Sequence, residues 1–121
     1  MLRSVLHAKI HRATITDASL NYVGSMTIPK DLMEQLGILN GEEVLVANVN
    51  TGARWTTYAI VGDKDGEFSL NGAAARYGQV GDLIIIMLFA QLDEKEVRTH
   101  KAKIALMGEG NRVEQIIEQG H

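Results

Sequence analysis

Two stretches of this chain repeat one another's order of residue types. Gly37-Ile38-Leu39-Asn40-Gly41-Glu42-Glu43-Val44-Leu45-Val46 runs from a glycine to a Gly-acid pair and then an apolar strand. Gly78-Gln79-Val80-Gly81-Asp82-Leu83-Ile84-Ile85-Ile86 does the same, with its Gly-acid pair 40 positions later (81 − 41). A short helical stretch precedes each. The repeat predicts two strand–helix–strand halves. Two such halves close into one barrel with pseudo-twofold symmetry, and closure removes the strand edges that a small β-rich protein must otherwise protect.

The rest of the chain fits this plan. Residues 2–15 are rich in apolar and β-branched residues and predict one long strand or two short ones, with Lys9, His11 and Ala13 on one face by period two. Thr16 to Ser19 reads as a turn. Pro29, leucines at 32 and 36, and Gly37 mark a short capped helix. Val44–Val49 and Arg54–Val61 read as strands around the turn Asn50-Thr51-Gly52. Asp63–Gly66 is a turn, Glu67–Leu70 a short strand, and Gly72–Tyr77 a helical turn. Beyond Phe89 the pattern weakens. Asp93–Val97 reads as a short helix or turn, Lys101–Met107 as a strand, and Gly108–Asn111 as a break. Residues 112–119 read as a short helix with Val113, Ile116 and Ile117 on one side. This tail is expected to be peripheral with a disordered tip.

Composition excludes several classes. A chain of 121 residues is one domain, and 45% hydrophobic residues support a small core. No cysteine is present, so disulfides and thiol chemistry are out, and the four histidines are not spaced as metal ligands. A net charge of −3 argues against a nucleic-acid partner. The apolar run Leu83–Ala90 is too short for a bilayer, and no secretory leader is evident, so a cytoplasmic protein is expected.

Any catalytic electrophile must therefore come from elsewhere, and Gly24-Ser25 can supply one from the backbone. The Ser25 hydroxyl can attack the Gly24 carbonyl, converting the amide to an ester. Elimination across Cα–Cβ of Ser25 and hydrolysis of the resulting dehydroalanine leave a pyruvoyl group on the new N-terminus. Gly24 suits this by lacking a Cβ. Most Gly-Ser pairs are ordinary turns, so the dipeptide alone proves nothing.

Its surroundings are specific. Lys9-Ile10-His11-Arg12-Ala13-Thr14, Tyr22-Val23-Gly24-Ser25, Gly52-Ala53-Arg54-Trp55-Thr56-Thr57-Tyr58-Ala59-Ile60 and Asn71-Gly72-Ala73-Ala74-Ala75 occur in this order. Together they resemble the pyruvoyl-dependent aspartate 1-decarboxylases, over roughly residues 1–100. The resemblance implies a mainly β fold, a six-stranded double-psi β-barrel with short helices. It implies decarboxylation of L-aspartate to β-alanine and carbon dioxide, feeding pantothenate synthesis. It further implies self-cleavage into a β-chain, 1–24, and an α-chain, 25–121. A homotetramer with active sites between subunits follows from it, with a maturation factor as a further partner.

Roles follow from chemistry and resemblance together. Decarboxylation at an amino-acid Cα needs an electron sink that no common side chain offers. A pyruvoyl group derived from Ser25, forming a Schiff base with the substrate, would supply it. Thr57 is assigned to the oxyanion of the cleavage step and to the substrate pocket. Tyr58 is the proton donor, since a phenol holds its proton at neutral pH. Arg54 matches a substrate carboxylate with its planar fork, and Lys9 supplies a second positive charge. The family places Lys9 and His11 beside the pyruvoyl group. Gly72, Ala73 and Ala74 offer backbone N–H groups, while Asn71 and Tyr22 complete the pocket wall. Trp55 departs from the residue usual at its position and is read as core packing. Thr57 and Tyr58, being adjacent on a strand, face opposite sides unless the strand bends or the site spans two subunits. A second resemblance competes: Met26 to Ile38, followed by Gly41-Glu42, is similar to the swapped-hairpin DNA-binding domains of transition-state regulators. It covers about a fifth of the chain and leaves Lys9, Arg54, Thr57-Tyr58 and Asn71-Gly72 unexplained.

Overall fold

The computed structural model describes residues 1–121. Nine strands and two short α-helices make the fold mainly β. In chain order they are β1 (Arg3–Thr14), β2 (Asp17–Ser19), β3 (Ser25–Pro29), α1 (Lys30–Leu36), β4 (Glu43–Asn48) and β5 (Arg54–Gly62). Then come β6 (Ser69–Asn71), β7 (Leu83–Leu92), α2 (Glu94–Thr99), β8 (Lys101–Met107) and β9 (Val113–Gly120). The strands form one sheet in the order β2-β6-β3-β5-β4-β7-β1-β8-β9. Three pairings in it are parallel: β1 with β8, β2 with β6, and β3 with β5. Just past β1, the Thr16 N–H donates to the Phe68 carbonyl at 2.9 Å. The sheet thus curls back on itself, bringing the end of β1 to the entry of β6.

The repeat seen in the sequence is a repeat in bonding. Gly41 N–H donates to the Ala59 carbonyl (2.7 Å), and Ala59 N–H to the Glu42 carbonyl (2.9 Å). In the other half, Gly81 N–H donates to the Ile15 carbonyl and Ile15 N–H to the Asp82 carbonyl, both at 2.9 Å. Both glycines take positive φ, +89° at Gly41 and +97° at Gly81, a conformation that a side chain disfavours. Each acid closes its own turn by accepting a backbone N–H three residues back, Leu39 for Glu42 and Gln79 for Asp82.

Alternation sets the core. Ile10, Ile86, Val46 and Trp55 lie in one row across β1, β7, β4 and β5, and all four are buried. They join Phe68, Met26, Ile28 and Leu88 in a cluster of 21 buried residues. Helix α1 adds Leu32, Met33 and Leu36, starts just after Pro29, and ends at Gly37 in the left-handed conformation. Helix α2 carries a full capping box between Asp93 and Glu96.

Three expectations are corrected. Residues 17–19 form a strand rather than a turn, because β6 offers them a parallel partner. Residues 112–119 are not a helix. Their apolar spacing fits either period, and pairing decides: Ile117 faces Ile104 and Ile116 faces Ala105 along β8. The tip is accordingly held in a strand through Gly120. Finally, Ala13 does not share a face with Lys9 and His11. A bulge at Arg12, which takes φ +65°, shifts the register and turns Ala13 into the core.

Asn111 ties the tail to the barrel. Its side chain accepts from the Thr14 N–H at 2.7 Å and donates to the carbonyls of Thr14 (2.9 Å) and Gly66 (2.8 Å). Asn111→Ala strips three part-buried backbone groups of their partners. We expect a loss of about 1–3 kcal/mol, read as a lowered denaturation midpoint with faster amide exchange in β9. Unchanged stability would show that water replaces the side chain.

Candidate active site

Ser25 opens β3 and is 1% exposed. Antiparallel pairing sets it opposite Asn71, the last residue of β6. The Asn71 Nδ2 group donates to Ser25 Oγ and to Thr27 Oγ1, both at 2.9 Å. One buried amide thus fixes the position of the Ser25 hydroxyl oxygen. This contact joins residues 46 apart in sequence. Asn71 is therefore more than the wall residue expected of it.

Gly24 and Gly72 pack backbone to backbone. A Cβ on Gly72 would lie 2.8 Å from Gly24 Cα, 2.9 Å from the Tyr22 carbonyl oxygen and 3.0 Å from Gly24 N. Gly72 also has φ +71°. Both facts require glycine, and together they press the turn that starts at Gly72 against the backbone of Tyr22 and Gly24, just ahead of the Gly24–Ser25 bond. Gly72→Ala must push that backbone away while straining its own. Displacement of reacting groups by about 1 Å costs on the order of a hundredfold in rate. If the Gly24–Ser25 bond is the one that self-processing breaks, Gly72→Ala should slow its scission by about that factor, followed as the rate of fragment appearance by denaturing mass spectrometry. Scission at the parent rate would place the critical contact elsewhere.

A cavity of ≈ 410 Å³ adjoins this bond, lined by Gly24, Asn71, Arg54, Thr57, Ala73 and Ala74, with Trp55, Thr56 and Tyr77. Arg54 is its only residue with a formal charge at neutral pH, and no carboxylate lines it. The protein's one salt bridge is Arg3–Glu94, so Arg54 is unpaired. The cavity is thus suited to an anion, with Arg54 as a bidentate donor. The residues fit a pyruvoyl group at position 25: the Gly24 carbonyl is unshielded by any Cβ, the Ser25 hydroxyl is fixed, and an anion-binding cavity abuts the bond.

Other expected residues lie apart from it within one chain. Tyr22 is 61% exposed and lines a separate cavity beside Thr27, Asp63 and Glu67, so it does not wall the Arg54 side. Tyr58 is 39% exposed and outside the Arg54 cavity, while Thr57 is half-buried and inside it. The two do face opposite ways, as strand alternation demands. Lys9 and His11 are further off. Strand registers place His11, Ile85, Ala47 and Arg54 in one row across β1, β7, β4 and β5. Lys9, Met87, Leu45 and Thr56 form the next. Three strand spacings, roughly 14 Å, therefore separate His11 from Arg54. Burial, then the positive charges of Lys9 and Arg12, hold the His11 imidazole below its ordinary pKa. The neutral form is favoured, and its Nδ1 is buried without a partner. No three His, Asp or Glu side chains converge as metal ligands.

The sequence as a whole matches known proteins. The family model described as Aspartate decarboxylase matches residues 1–114. Proteins named Aspartate 1-decarboxylase from Staphylococcus aureus strains JH9 and Newman are 48% identical over 120 residues, covering 98% of this chain and 94% of theirs. With that match running through Gly24-Ser25, Arg54, Thr57-Tyr58 and Asn71-Gly72, the chain belongs to the aspartate decarboxylase family.

Proposed function

We propose that this protein decarboxylates L-aspartate to β-alanine, using a pyruvoyl group made from its own Ser25, and that it feeds pantothenate synthesis in the cytoplasm. The observation that carries the reading is the Asn71-held Ser25 hydroxyl beside a Gly24 carbonyl, at the edge of a cavity whose one charge is Arg54. Self-processing begins with attack of Ser25 Oγ on the Gly24 carbonyl carbon. The Thr57 hydroxyl, on the same cavity as Gly24, is the donor for the oxyanion that forms. Ester formation, elimination and hydrolysis then separate residues 1–24 from 25–121. The pyruvoyl carbonyl supplies, once formed, the electron sink for decarboxylation. The chain's residues do the rest. Arg54 grips a substrate carboxylate, the start of the turn at Gly72–Ala74 presents backbone N–H groups, and Tyr58 holds the proton that is returned to Cα.

The reading includes assembly. Lys9 and His11 lie three strands from Arg54, and Tyr58 does not line the cavity, so one chain does not gather all the assigned groups. Leu45, Ile85, Met87 and the 45%-exposed Phe89 form an apolar stripe on the outer sheet face between them. A homotetramer with sites between neighbouring subunits would bring the missing groups in from a second copy. The pairing of strand–helix–strand halves through Gly41-Glu42 and Gly81-Asp82 supports the six-stranded double-psi barrel as its architecture. No helix is long and apolar enough to cross a membrane.

The test is intact mass under denaturing conditions after prolonged warming, with and without an acetyltransferase-like maturation factor. We expect pieces of 24 and 97 residues (121 − 24). The larger should be trapped by hydrazine or borohydride. Only intact chain in both conditions would reject self-processing.

A further inference from the structure

Thr27 lies two residues beyond Ser25 on β3, so the two side chains stand on the same face of that strand. Across the β3–β6 ladder, Asn71 pairs with Ser25 and Ser69 with Thr27. From there one amide reaches the hydroxyl directly opposite and the hydroxyl diagonal to it, both at 2.9 Å. An asparagine amide carries two N–H groups. One bond to Ser25 Oγ and one to Thr27 Oγ1 engage both, and all three side chains are buried.

The Thr27 side chain is held from its other branch. A Cβ on Gly62 would lie 2.8 Å from Thr27 Cγ2, so the methyl occupies space that only glycine leaves open. A β-branched side chain has few rotamers, and one whose methyl is seated at Gly62 keeps its hydroxyl turned toward Asn71. Stability alone does not call for that hydroxyl. Replacing both partners of a buried hydrogen bond with apolar groups of the same shape can be nearly neutral. The polar trio has a further consequence. With Ser25 as its one acceptor, the Asn71 amide would be held at a single point, and its terminal torsion is broad. A second bond, to an oxygen whose place is set by Gly62, stops that rotation and keeps the first bond aimed at Ser25 Oγ.

We propose that Thr27 is a positioning residue for self-processing: it holds the Asn71 amide and, through it, sets the direction from which Ser25 Oγ meets the Gly24 carbonyl. The assignment rests on the reading of Ser25 as the scission nucleophile.

The test is a double-mutant cycle on the rate of scission, followed by denaturing mass spectrometry, with a thermal melt for each variant. Thr27→Val keeps the shape and removes Oγ1. It should cleave about tenfold to a hundredfold more slowly, the scale of an ångström's loss of placement. Thr27→Ser restores the hydroxyl and should recover most of the rate. Asn71→Ala should also be slow, and adding Thr27→Val to it should cost nothing further, because Thr27 acts through the amide. Parent-rate scission in Thr27→Val or in Asn71→Ala overturns the proposal and leaves the Ser25 reading in place. So does a Thr27→Ser chain as slow as Thr27→Val, or an undiminished further loss in the Asn71→Ala background. A parent chain that never cleaves, with or without a maturation factor, removes the Ser25 reading and this proposal with it. Should Thr27→Val fail to fold, Thr27→Ala carries the same comparison. Unfolding of both would make the hydroxyl a requirement of folding and overturn the positioning role.

Discussion

Ser25→Ala is expected to remain a single 121-residue chain and to release no carbon dioxide from aspartate. The substitution removes one atom, Oγ, from a residue that is 1% exposed. No neighbouring group can replace it as nucleophile: Thr27, which shares the Asn71 amide, lies two residues beyond the bond to be broken. Without scission no electron sink forms, and the cavity retains only the capacity to bind. The fold should survive. One Asn71 N–H loses its acceptor, at about 1–3 kcal/mol, while the other keeps Thr27. The experiment pairs denaturing mass with a thermal melt and a carbon dioxide assay. Decarboxylation by a folded, uncleaved Ser25→Ala protein would end the pyruvoyl reading.

The same residues show what a sequence discloses and what it does not. The Gly-acid pairs were legible because each turn is local. A glycine with positive φ, followed by an acid that caps its own turn, is written in consecutive residues. Helix α1 was legible for the same reason, between Pro29 and Gly37. Strand β9 was not, because an edge strand is chosen by its neighbour: Val113, Ile116 and Ile117 satisfy a helical period, and only β8 decides against it. The Arg12 bulge breaks the period-two rule invisibly, since nothing in His11-Arg12-Ala13 signals an extra residue. At the site, a motif match named Asn71, but its bond to Ser25 comes from β3–β6 pairing across the fold. The buried indole Nε1 of Trp55, which has no hydrogen-bond partner, is likewise a property of packing. Its residue type argued for the core, which it does join.

Thr57→Val and Tyr58→Phe should separate scission from decarboxylation, although the two residues are adjacent. Thr57 lines the cavity beside Gly24, and valine keeps its shape while deleting the hydroxyl. Loss of one oxyanion donor costs about a hundred- to a thousandfold in rate. Thr57→Val should therefore persist mostly as uncleaved chain. Tyr58 is 39% exposed and does not line that cavity, so it is assigned no part in scission within its own chain. Tyr58→Phe keeps the ring and deletes the transferable proton. It should cleave at the parent rate and trap with hydrazine, yet form β-alanine roughly a hundredfold more slowly, the usual weight of a general acid. The comparison requires cleaved fraction and turnover for both variants, with turnover scaled to cleaved protein. Normal turnover by Tyr58→Phe would transfer the acid role to another group or to a bound water. Normal scission by Thr57→Val would confine its hydroxyl to the substrate pocket, and would leave the backbone N–H groups of the turn that Gly72 presses against Gly24 as the remaining oxyanion donors.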